Sequence, residues 1–162
     1  MTQKQFERAV TKGVSEATGI PVKLLCEECG PCEGDMFFLE GVLSYNFELL
    51  PLCDRQRSMV SFAYDEDSGE LIVVTVFTLI AEQEKFEDSL QKFEETEDAR
   101  VITCDTEPYD DDREEGFLNL CSRVTPDGET AEAIAAAVTG VLAYYKEGSA
   151  FDTYIVPFIK DE

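Results

Sequence analysis

Apolar residues recur at three- and four-residue spacing near the start of the chain. Phe6, Val10, Val14 and Ala17 fall on one side of a helix. Thr2 and Gln5 stand at capping-box spacing, where each side chain satisfies a backbone N–H of the first turn. Gly19 and Pro21 end this helix, the first by tolerating a left-handed backbone, the second by lacking a donor. Residues 22–25 and 36–39 are short apolar runs around the segment CEECGPCEGD, and they predict two short or irregular elements around a loop. From Tyr45 the period falls to two. Tyr45, Phe47 and Leu49 alternate with polar residues, and Val60, Phe62 and Tyr64 form a second such row. Asp65 to Gly69 then joins this row to LIVVTVF at 71–77, which reads as a β-hairpin with Gly69 free to take positive φ. That second arm is apolar on both faces and is expected as an interior strand covered on both sides.

The helical period returns over 79–97 with the stripe Ile80, Phe86, Leu90 and Phe93. A short strand at 101–104, a polar loop at 105–115 and an alternating strand at 117–124 follow. Thr125 and Pro126 open a last helix, since proline is tolerated in a first turn. Its stripe is Ile134, Val138, Val141, Leu142 and Tyr145, and Gly148 ends it. The tail FDTYIVPFI is apolar enough to dock. The order is helix, three strands, helix, two strands, helix. Strands in runs, not in strict alternation with helices, predict an α+β fold with a largely antiparallel sheet, in one domain over 1–162.

Charge narrows the function. The 162 residues carry 35 Asp and Glu against 13 Lys and Arg, a net charge of −22. Such a surface repels phosphate backbones and anionic lipid, which argues against nucleic-acid and membrane partners. There is no histidine, so the chain cannot supply a Ser-His-Asp triad, a Cys-His pair or a histidine metal ligand. The opening MTQKQFERAV does not read as a secretory signal, no apolar run approaches about 18 residues, and six cysteines without a signal fit a reducing cytoplasm.

Two features could carry chemistry. Cys29-Gly30-Pro31-Cys32 has the form of a thioredoxin redox motif, which needs its first cysteine at a helix N-terminus so that the thiol pKa falls. Glu27 and Glu28 precede it and would raise that pKa, while Glu33-Gly34-Asp35 is a poor helix start. Cys26, Cys29 and Cys32 also have metal-ligand spacing. The iron–sulfur run fails because position 36 is Met36, but Cys53 could complete a four-thiolate zinc site. Cys53, Cys104 and Cys121 fall in or near strand segments and otherwise read as small core residues. The second feature is acidic density. Residues 82–115 hold 15 Asp and Glu against four Lys and Arg. Neither Asp110 nor Asp65 begins a run with glycine sixth and glutamate twelfth, so no EF-hand is present and the run reads as a solvated face. No phosphate loop, dinucleotide fingerprint or nucleophile elbow occurs.

The opening amphipathic helix, the hairpin YDEDSGELIVV, the central acidic helix and the closing helix after TPDGETAEAI resemble, in order and charge, the type III secretion chaperone-like fold. CesT-type secretion chaperones and the YbjN group share that fold. The resemblance implies a small acidic cytosolic protein, often dimeric. The cysteine segment 26–32 and the acidic loop depart from it. The expectation is therefore a non-enzymatic, chaperone-like or adaptor-like protein that binds an extended segment of a basic or amphipathic partner, without a cofactor. The alternative is a zinc-binding or thiol-redox domain built on Cys26, Cys29 and Cys32. A homodimer is expected through the large apolar residues of 79–97 and the small residues Ala133, Ala136, Ala137 and Gly140.

Overall fold

The computed structural model describes residues 2–18, 36–42, 59–79, 83–107 and 116–159. The fold is α+β. Helix α1 spans Gln3–Thr18 and begins at the expected box: the Thr2 N–H donates to Gln5 Oε1 at 2.8 Å, and the Gln5 N–H donates to Thr2 Oγ1 at 3.2 Å. Its stripe is spent on the core, with Phe6, Val10 and Val14 buried and Ala17 packed against them.

Five antiparallel strands form one sheet: β1 (Met36–Val42), β2 (Met59–Asp65), β3 (Glu70–Leu79), β4 (Ile102–Glu107) and β5 (Gly116–Val124), in the order β1-β2-β3-β5-β4. β2 and β3 make the expected hairpin. Gly69 takes φ +71 and donates its N–H to the Asp65 carbonyl at 2.8 Å. β3 is central, as its apolar sequence requires. Leu71, Val73 and Phe77 are buried on one face, whereas Ile72 and Val74 on the other keep part of their exposure.

Helix α2 (Gln83–Glu94) starts later than the 79–97 stripe implies. Leu79 pairs with Gly116 of β5, so the sheet ladder holds residues that helical spacing had assigned to the helix. Phe86 and Phe93 are still buried. A 3₁₀ turn, Glu97–Arg100, leads into β4, which runs on to Glu107 where a loop was expected from 105. β4 lies parallel in direction to β3, with β5 between them.

The last long helix, α3 (Ala131–Leu142), also starts later than expected. Gly128 sits at φ +127, which no helix permits, and the cap is Thr130, whose Oγ1 accepts the Ala133 N–H at 3.2 Å. The helix ends at Leu142 and tightens into a 3₁₀ turn, Ala143–Tyr145. Gly148 at φ +83 marks the turn before a short helix, α4 (Ala150–Tyr154), which Ser149 caps and a further 3₁₀ turn, Val156–Phe158, follows. This tail docks: Phe151, Ile155 and Ile159 are buried, and Ser89 of α2 donates to the Tyr154 carbonyl at 2.6 Å.

One face of the sheet carries this core. Register puts Phe62, Val73, Ser122 and Ile102 in one row, and Thr75, Leu120 and Cys104 in the next. α1 and α3 cross closely above it. A Cβ on Gly13 would stand 2.6 Å from the Ala135 carbonyl oxygen, and Thr139 Oγ1 donates to the Gly13 carbonyl at 2.9 Å. Among the described residues, no helix is long and apolar enough to cross a membrane. Residues 22–25, the expected strand at 45–49, Ile80 and the loop beyond Glu107 lie outside the described residues.

Candidate functional site

β4 combines an open backbone edge with negative charge. Its sequence, ITCDTE, alternates. Ile102 is fully buried and Cys104 half-buried toward the helices, while Thr103 and Asp105 on the other face are exposed. Thr103 Oγ1 donates to the Cys121 carbonyl at 3.0 Å and ties the strand to β5. β4 ends the sheet, so among the described residues its outer N–H and C=O groups face no further strand. Such an edge is a template for another strand unless something blunts it. The acidic run surrounding β4 favours Lys- or Arg-bearing segments over others. The sequence reading missed the strand's second half because Asp105, Thr106 and Glu107 contain no apolar residue; the alternation through Ile102 and Cys104 was the available signal.

A buried cluster of hydroxyl groups lies where β3 and β5 meet the turn after α3. The Tyr145 hydroxyl and Thr75 Oγ1 are 3.3 Å apart and share a hydrogen bond, both fully buried. Ser122 Oγ lies near the Tyr145 hydroxyl but makes no hydrogen bond of good geometry. Burial pushes the Tyr145 phenol well above its ordinary pKa. Burial, and then the charge of Glu94, push the Cys104 thiol up to about 12. Both groups are therefore protonated at neutral pH. A thiol held neutral is a poor nucleophile; the chain has no histidine, and among the described residues no carboxylate is buried with the cluster. The Tyr145–Thr75 hydrogen bond links the turn after α3 to β3 of the sheet.

The candidate metal ligands Cys26, Cys29, Cys32 and Cys53 lie outside the described residues. Cys104 and Cys121 are free thiols on adjacent strands, but register places them on opposite faces. Among the described residues, no group of three or more His, Cys, Asp or Glu comes together as a metal site. Phe86 and Phe93, invoked for a dimer, are buried in the chain's own core, while Ala136 and Gly140 of α3 are exposed.

Compared with known proteins, the chain matches no family model, no curated protein and no solved structure.

Proposed function

We propose that the protein is a non-enzymatic, chaperone-like or adaptor-like binder of an extended protein segment, which pairs with β4 as an added strand. The carrying observation is that, among the described residues, β4 ends the sheet with an unpaired outer edge, in the most acidic part of the chain. Main-chain hydrogen bonds would give such a complex its affinity, and alternate side chains its preference. The partner segment is basic on alternate residues, because Asp105 is exposed beside that edge. The reading accords with the resemblance to secretion chaperones, and it needs neither the cysteine segment nor a cofactor.

The test is fluorescence anisotropy with a labelled eight-residue peptide of alternating Lys and Val. Two further versions carry backbone N-methyl groups on all the Lys or on all the Val residues. In an added strand only one of these sets donates to β4, so one N-methylated peptide should lose binding and the other keep it. Equal binding by all three peptides would mean that charge alone attracts them, and would defeat the proposal.

A further inference from the structure

A pocket of about 340 Å³ opens where the Glu97–Arg100 turn, the C-terminal end of α3 and the start of α4 meet. Asp98, Gly140, Ala143, Tyr144 and Ser149 line it. Its volume is at the small end of the range of about 300–1,000 Å³ typical of ligand sites. Four observations agree on what would fit. The Asp98 side chain is half-buried, and among the described residues it makes no ion pair, although Arg100 follows it by two positions. Tyr144 is half-buried at the same wall and can offer a ring face, which attracts cations. The last turn of α3 carries the negative end of the helix dipole and contains no Lys or Arg to answer it. Gly140 leaves space: a Cβ there meets nothing within 4 Å.

A carboxylate, an aromatic ring and a helix C-terminus all favour a cation. A planar guanidinium suits them better than an ammonium, because it can lie on a ring and present paired N–H donors to a carboxylate. The pocket also adjoins the β4 edge along the chain. Asp98 precedes Ile102, the first residue of β4, by four residues, at most about 14 Å of extended backbone. We propose that the pocket seats the guanidinium of an arginine side chain at one end of the segment bound along β4. The inference rests on the strand-addition reading for its partner, but the pocket can be tested apart from it.

Two measurements separate the claims. In the first, arginine amide is titrated into the labelled protein and followed by NMR. The pocket expects saturable shifts at Asp98 and Tyr144 that are lost in Asp98→Asn and in Gly140→Leu. Gly140→Leu adds bulk to the pocket lining from a helical position where a Cβ meets nothing within 4 Å. In the second, the Lys–Val peptide carries at one end, then at the other, either Arg or its neutral isostere citrulline. One of the two ends should favour Arg by about tenfold in the natural protein, and that preference should fall to near onefold in both variants. Preference surviving unchanged in the variants would mean general charge attraction and overturn the pocket, as would a peptide that binds with no Arg preference at either end. Saturable shifts with arginine amide, with no peptide bound at all, would uphold the guanidinium pocket and defeat strand addition. No saturable shift at Asp98 or Tyr144, with peptide still bound along β4, would do the reverse.

Discussion

Helix α3 meets its neighbours in two contrasting ways. Toward α1 it packs so closely that Gly13 has no room for a Cβ, which would stand 2.6 Å from the Ala135 carbonyl oxygen and 2.8 Å from Val138 Cβ. Toward the Glu97–Arg100 turn, near its C-terminal end, Gly140 faces open space and borders a pocket lined by the Asp98 carboxylate, which makes no ion pair among the described residues. The same residue type serves opposite ends. At Gly13 the missing side chain lets two backbones approach and bury Val10, Val14, Ile134 and Val138. At Gly140 it leaves a concavity that folding does not fill. Where packing is complete, the residues are committed to stability; where it is not, they remain available for a partner.

The contrast can be broken most severely at the crossing. Gly13→Ala should destabilise the protein by about 1–3 kcal/mol despite alanine's better helix propensity, because a rigid backbone oxygen and a β-branched side chain must move. Urea unfolding would measure the loss, and an unchanged midpoint would mean the helices can separate freely. Tyr145→Phe, just after α3, should cost about 1–2 kcal/mol, since Thr75 Oγ1 would be left buried without its partner. Gly140→Ala should instead stabilise by about 0.5–1 kcal/mol, because nothing blocks the added methyl and the helix gains a stiffer residue. Opposite signs for two Gly→Ala changes touching the same helix would sharpen the comparison; equal signs would break it.

Alkaline pH should act through groups buried in the core. In the unfolded chain a thiol titrates near pH 8.5, whereas burial keeps Cys104 protonated up to about 12. Above about pH 9 the unfolded state loses a proton that the folded state keeps, so stability is full below that point and falls as pH rises toward 12. Tyr145, raised for the same reason, adds to the fall above about pH 10. Cys104→Val should make the decline between pH 9 and 10 shallower, as read by urea midpoints at each pH; an identical slope would remove Cys104 as its source.

Much of the fold was legible where one periodicity ruled alone. The Thr2–Gln5 box, the α1 stripe, the Gly69 hairpin and the Ile134-to-Tyr145 stripe all appear as read, because each is fixed by local spacing. Boundaries failed where a distant strand partner or a positive-φ glycine intervened. The Leu79–Gly116 pairing held residues in β3 that suited a helix, and Gly128 delayed α3 to the Thr130 cap. The candidate site was less legible. Alternation at Ile102 and Cys104 marked a strand, but its place at the sheet edge depends on β5 inserting beside β3. The pocket joins Asp98 to Gly140 and Tyr144, more than 40 positions apart in the chain, and no local pattern brings them together. The cysteine segment stood out in sequence and lies outside the described residues.

The most direct measurement of strand addition is amide hydrogen exchange across the sheet, with and without the alternating Lys–Val peptide at saturation. An edge amide with no partner exchanges readily, and an added strand would protect it. The account expects slowed exchange confined to Ile102–Glu107 of β4, with β1 at the opposite edge unchanged. Bound peptide with β4 exchange unaltered, or protection at β1 instead, would contradict it.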